Sequence, residues 1–161
     1  MKVALFVFSL LLGGCVTSRV PEKKGKYPEF FTAQQTLRFQ QQDRDDTLLA
    51  QLNFAKEDIG LLMVHPLFGS PLVKISMRDK VVEEKWFVDK QPIPVKEVLD
   101  SIVTIYRTPN IELGRPYPLT HGRFVITSHQ YFSGCFFPSE IRLIFHNNMK
   151  LRVVTTEVEC D

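Results

Sequence analysis

Apolar and polar residues begin to alternate at Thr36. Leu37 and Phe39 alternate with Thr36, Arg38 and Gln40, and Leu48, Ala50, Leu52 and Phe54 alternate with Leu49, Gln51 and Asn53. A period of two puts one face of a strand on a core and the other in water. The link from Gln41 to Thr47, with three aspartates, reads as the turn between these strands. Two further apolar strands follow, Ile59 to Val64 and Leu72 to Met77. Arg78-Asp79-Lys80 then turns the chain into a strand through Val82, Trp86 and Val88. Five strands with short connections predict an antiparallel meander.

The period then changes. Val95, Val98, Leu99, Ile102, Val103 and Tyr106 fall at helical spacing, with Lys96, Glu97 and Asp100 on the other side. Pro94 suits the first helical position and Pro109 stops the chain from continuing. The apolar stripe of this helix needs the sheet as its partner. The segment from Thr108 to Gly122, with Pro109, Pro116 and Pro118, reads as irregular. Strands resume at Phe124 to Thr127, and a last pair, Ile141 to His146 and Met149 to Thr155, is joined at Asn147-Asn148, where asparagine tolerates φ > 0. The fold class expected is mainly β (α+β), with one helix laid on an antiparallel sheet.

Between the third and fourth strands lies His65-Pro66-Leu67-Phe68-Gly69-Ser70-Pro71. Pro and Gly are turn chemistry, but Leu67 and Phe68 are out of place in a solvated turn. Either the tip folds back and joins the core, or something apolar outside the domain meets it. A similar pair of readings applies to the inner face of the sheet. If the sheet is concave, Leu37, Phe39, Leu52, Phe54 and Ile75 share that face with Leu99, Ile102 and Tyr106. They then either line an apolar cavity for a ligand or fill the space at core density.

At the amino terminus, Lys2 precedes a run of ten residues, Val3 to Leu12, that ends in Gly13-Gly14-Cys15. A membrane span needs about 20 apolar residues, so this is a signal peptide. The junction resembles the bacterial lipobox, whose cysteine receives a diacylglyceryl thioether before cleavage. The expected division is a signal peptide over 1–14, a lipidated tether over 15–33 and a folded domain over 34–161. Two or more acyl chains on Cys15 would anchor stably, each buried CH₂ contributing ~0.8 kcal/mol. Val16 stands where an inner-membrane lipoprotein commonly carries Asp, which by analogy favours the outer membrane, facing the periplasm.

Composition narrows the function classes. A chain of 161 residues has one domain's length. A net charge of +2 without a basic stripe argues against a nucleic-acid partner. Thirteen Phe against one Trp suit a large core or an apolar pocket equally. Cys135 and Cys160, in an oxidising compartment, are expected to pair, and their loop of roughly 25 residues would contribute about 3 kcal/mol in the chain-entropy model. His65, His121, His129 and His146 have no metal-ligand spacing. There is no nucleophile elbow and no phosphate loop. Asp45-Asp46 and Glu83-Glu84 are adjacent on strands and so point to opposite faces. No enzyme and no cofactor are expected.

Three passages resemble the LolB family of outer-membrane lipoprotein receptors and its shorter relatives, some encoded beside aryl-polyene pigment genes. Pro66-Leu67-Phe68-Gly69-Ser70 resembles the family's Pro-Leu-Gly-Ser loop. Gln91-Pro92-Ile93-Pro94-Val95 is similar to its Pro-Ile-Pro-Leu helix start. Phe137-Pro138-Ser139-Glu140-Ile141 is similar to the approach to its last strands. The resemblance implies a LolB/LolA-like twisted half-barrel whose concave face, lidded by helices, holds acyl chains. It also implies that Leu67 or Phe68 takes the place of a protruding leucine that assists membrane insertion of cargo. Only about ten residues separate Lys80 from Gln91, where the family has a helical insertion, so one lid helix is expected to be missing. The function implied is binding or transfer of a membrane lipid, lipoprotein acyl chain or aryl-polyene-type amphiphile, with a LolA-like periplasmic carrier as a candidate partner. The alternative is a structural or assembly lipoprotein with a filled core. The oligomeric state is open.

Overall fold

A computed structural model describes residues 27–160. The leader 1–14, Cys15 and the first part of the tether lie outside the described residues. Nine strands and one helix follow: β1 (Phe31–Gln41), β2 (Arg44–Phe54), β3 (Asp58–Val64), β4 (Pro71–Arg78), β5 (Val81–Trp86), α1 (Val95–Arg107), β6 (Pro116–Leu119), β7 (Gly122–Phe132), β8 (Cys135–Phe145) and β9 (Lys150–Cys160). All nine strands form one antiparallel sheet in the order β5-β4-β3-β2-β1-β9-β8-β7-β6. The expected mainly β half-barrel with one helix is the observed architecture. The first and last strands meet in the middle, and α1, which connects the edge strands β5 and β6, packs against the inner face. No second helix precedes α1 among the described residues.

Alternation sets the inner face. Phe31, Ala33, Gln35, Leu37 and Phe39 are buried along β1, and Leu48, Ala50, Leu52 and Phe54 along β2. Ile59, Leu61 and Met63 continue this layer on β3, and Val73 and Ile75 on β4. Each large aliphatic or aromatic side chain so buried contributes ~1.5–3 kcal/mol. Val95, Val98, Leu99, Ile102 and Tyr106 close the layer from the helix. Gln35 is a buried polar residue within the layer: its Nε2 donates to the Tyr106 hydroxyl at 2.9 Å and to Thr155 Oγ1 at 3.4 Å, which latches α1 to β1 and β9.

Several boundaries differ from expectation. The tether does not extend to residue 33, because Tyr27 is already buried and β1 begins at Phe31. The β1–β2 turn shrinks to Gln42-Asp43, since Gln42 takes φ 51° and lets Gln41 pair with Arg44. Pro94 is the N-cap of α1 rather than its first residue, and β5 stops at Trp86. Part of the segment read as irregular is the edge strand β6, whose Pro116 and Pro118 are tolerated because an edge strand leaves half its donors unused. A further hairpin joins β7 to β8 through Ser133-Gly134, both at positive φ.

Because strand directions alternate, the half-barrel has two distinct ends. The proximal end gathers Tyr27, the start of β1, the β2–β3 and β4–β5 turns and the last turn of α1. The distal end gathers the β1–β2 turn, the β3–β4 loop, the first turn of α1 and the β8–β9 turn. The β8–β9 ladder runs from Ile144 only as far as Glu140 opposite Val154. Beyond it, toward the proximal end, the Cys135–Cys160 disulfide joins the two strands at a Cα–Cα distance of 6.4 Å. On that last rung Glu140 accepts from Arg142 at 2.9 Å and from Arg152 at 2.7 Å, and the Arg152 bond foremost holds its carboxyl below the usual range.

Candidate functional site

The proximal end carries a cleft of about 770 Å³. Its apolar lining comes from four separate elements: Tyr27 before β1, Phe54 closing β2, Met77 on β4 and Tyr106 on α1. Behind the lining lies an aromatic cluster. Phe31 stacks on Phe54 at 4.9 Å between ring centroids, meets Phe137 edge-on at 4.8 Å, and contacts Tyr106 at 5.1 Å. Tyr106 stacks on Phe137 at 5.0 Å, so Phe137 fills the gap where β8 and β9 separate. Tyr27 lies across the cluster, edge-on to Tyr106 at 5.8 Å, with its hydroxyl hydrogen-bonded to His129 Nε2 at 2.8 Å. Burial pushes both phenols well above the usual tyrosine value, so each stays a neutral hydrogen-bonding group.

The rim is charged. Lys56, Lys80 and Arg107 stand with Glu29, Glu57 and Asp79, three cations and three anions. Arg107 Nη2 donates to the Lys56 carbonyl at 2.7 Å and fixes the last turn of α1 to the β2–β3 turn. An apolar floor under a polar rim is the arrangement of a small-molecule site, for which volumes of about 300–1,000 Å³ are ordinary. Among the described residues no group of three or more His, Cys, Asp or Glu is placed to hold a metal, and no helix is long and apolar enough to cross a membrane.

The eight residues named as a lipid cavity do not act together. Phe54 and Tyr106 line the cleft, while Phe39 borders only a void of about 20 Å³ at the distal end. Leu37, Leu52, Ile75, Leu99 and Ile102 are buried to 2% exposure or less and line neither space. The inner face under the helix is therefore filled: α1 sits low enough for its stripe to meet the side chains of the sheet. The large cleft lies beyond the last turn of α1. Leu67 and Phe68 are 82% and 78% exposed, so the tip does not fold back into the core. The Phe68 ring stacks on His65 at 4.8 Å, and the Leu67 N–H donates to His65 Nδ1 at 3.2 Å. Gly69, at φ 62°, closes the turn by donating to the His65 carbonyl at 2.9 Å. This loop is at the distal end, opposite the cleft. Cys135 and Cys160 are joined as expected; Cys15 lies outside the described residues.

Sequence reasoning missed Tyr27, Met77 and the rim residues. Tyr27 stands among lysines and prolines with no apolar period to mark it. Lys56, Lys80 and Arg107 are ordinary turn and helix-end cations until three connections converge in space.

The fold has solved counterparts. A LolA superfamily protein from Nitrosomonas europaea aligns with a TM-score of 0.55 over 84% of this chain and 88% of its own, at 10% sequence identity. A DUF1329 family protein from Desulfovibrio piger aligns at a TM-score of 0.45 over 83% and 86%, at 8% identity. The first likeness is one of fold, and it matches the LolA/LolB-like architecture implied by the three sequence passages. No curated protein shows significant sequence similarity to the chain. The sequence model of a family described as a protein of unknown function, DUF3261, matches residues 32–121, from β1 through α1 to the β6–β7 turn. That is more than half of the chain, and the chain belongs to this family.

Proposed function

We propose that this is a lipid-anchored protein of the outer membrane, facing the periplasm, that binds or hands over an amphiphile and performs no catalysis. The observation that carries the reading is the cleft at the proximal end, with an aromatic floor for an acyl or polyene chain and a charged rim for its head. The cargo is a lipoprotein acyl chain or an aryl-polyene-type lipid, and a LolA-like carrier is the partner that would supply it. Cys15 is the anchor. Eleven residues lie between Cys15 and Tyr27, a span of at most roughly 40 Å when extended. The anchor therefore reaches the cleft end first. The Leu67–Phe68 tip stands at the other end of β3, whose seven residues rise roughly 24 Å.

A second reading is favoured by the filled inner face: a structural or assembly lipoprotein acting through its surface. Mass spectrometry of lipids that co-purify with the protein separates the two. A binder carries one lipid class well above its share of the membrane extract, whereas a filled scaffold carries the membrane average. The anchor has its own test: Cys15→Ala should remain uncleaved by the lipoprotein peptidase and be depleted from the outer membrane. Normal fractionation and normal mature mass would contradict it.

A further inference from the structure

The two edges of the sheet are built differently. One edge is β6, four residues with Pro116 and Pro118, which breaks up any row of donors. The other is β5, Val81–Trp86, six residues without Pro or Gly and paired with β4 on one side only. Val81 is 62% exposed, and Phe87, just beyond the strand, 45%. Phe87 N–H donates to the Leu72 carbonyl at 2.9 Å. By the alternation of an antiparallel ladder, Lys85, Glu83 and Val81 also turn their backbone groups to β4. Val82, Glu84 and Trp86 turn theirs to the open side.

We propose that β5 pairs antiparallel with β5 of a second copy of this chain, about a two-fold axis through Glu84, to make one continuous sheet. The pairing rule admits registers in which outward-turned residues face outward-turned residues, and these can be compared by charge. With Glu84 opposite Glu84, the outer face reads Val81 against Phe87, Glu83 against Lys85, and the same pairs again across the axis. Shifting the partner by two residues one way sets Glu83 against Glu83; shifting it the other way sets Lys85 against Lys85. The outer row Val81, Glu83, Lys85, Phe87 is thus its own antiparallel complement in one register. On the inner face Val82 meets Trp86, and the like pair is Glu84 with its copy. That carboxylate is already held by Lys90 at 2.9 Å and by the Trp86 indole N–H. A strand edge of this length makes an interface of the small, transient class, strengthened wherever copies are concentrated. The pairing is independent of what the cleft binds.

The test uses the full chain in its membrane. Two differently tagged copies are co-expressed, one carrying Glu83→Cys and one Lys85→Cys, and oxidised before a non-reducing gel. Facing residues at a non-hydrogen-bonded position lie about 4.5 Å apart between Cα atoms, within the disulfide range of about 4.4–6.8 Å. The proposal expects a doubly tagged dimer from the mixture and several-fold less from either variant alone. Equal cross-linking of Glu83→Cys with itself, no dimer in the mixture, or a cross-link to a different protein would each overturn it. Charge exchange provides the second measurement, by sedimentation in detergent. Glu83→Lys should weaken dimerisation by roughly tenfold, from two repulsive pairs replacing two attractive ones. Glu83→Lys with Lys85→Glu should restore it. Loss without restoration, or a monomer before any substitution, overturns the pairing as well.

Discussion

At the proximal end of the half-barrel the connections are short and charged, the β8–β9 ladder has stopped, and the space beyond α1 is open over an aromatic floor. At the distal end the chain closes over a filled layer and instead pushes two apolar side chains outward, Leu67 and Phe68. The same alternating strands supply both ends. What differs is where the helix stops and how long the connections are. A three-residue turn between β2 and β3 can only bound a cleft, whereas the six residues between β3 and β4 can project. The fold thus separates an open apolar cleft at one end from exposed apolar side chains at the other. Tyr27, the first described residue, is also at the proximal end, so under the proposed function the exposed tip is the end farther from the anchor.

The contrast can be broken by substitution, and the largest effect is expected in the aromatic floor. Phe137→Ala removes a ring that is fully buried at the β8–β9 seam and should cost about 3–5 kcal/mol in chemical denaturation. Next comes the filled layer. Ile102→Trp overpacks a site with no adjoining space and should cost about 1–3 kcal/mol. A stable Ile102→Trp protein would mean that the layer under α1 is looser than its burial indicates. At the tip the expectation reverses. Leu67→Asp with Phe68→Asp should change folding by no more than about 0.5 kcal/mol, while liposome binding falls. A collapsed thermal midpoint would return both residues to the core. Unchanged liposome binding would leave the tip exposed but idle.

The smallest effect expected is acid weakening of the proximal seam. Glu140 titrates below its ordinary 4.5 because Arg152 and Arg142 hold it ionised. A lowered folded-state value gives stability that is complete above the unfolded value and lost as pH falls through the folded one. Denaturation midpoints should therefore drop below about pH 4.5, and the part due to Glu140 should vanish in Glu140→Gln. Its partners are half-exposed, so that part is at most about 1 kcal/mol.

How far the sequence could be read follows the same division. Where strands alternate cleanly and turns are short, as in β1 to β4, apolar period alone places the elements and their inner face. The helix was legible because its stripe switches to helical spacing between two prolines. The β7–β8 hairpin was not: bulges near Ser128 shift the register, and Tyr131, Phe132, Phe136 and Phe137 crowd its turn with aromatics on both faces. Prolines hid β6. At the site, periodicity names the residues of the inner face but cannot tell a filled layer from a cavity, because that depends on how closely α1 approaches the sheet. Leu37, Leu52, Ile75, Leu99 and Ile102 read identically in either case. The cleft itself is assembled by Tyr27, Met77 and three connections distant in sequence, which no local pattern links.

The most direct test of the proposed binding role is titration of the non-acylated protein with a fluorescent fatty-acyl probe, comparing the unmodified chain with Met77→Trp. Met77 lines the cleft and is only partly buried, so the larger ring can occupy the open space without disturbing the filled layer. Saturable binding by the unmodified protein, weakened by at least roughly tenfold in Met77→Trp (about 1.4 kcal/mol) with an unchanged thermal midpoint, is the result expected. Saturable binding that Met77→Trp leaves intact, or no saturable binding at all, would contradict the assignment of the proximal cleft as the amphiphile site.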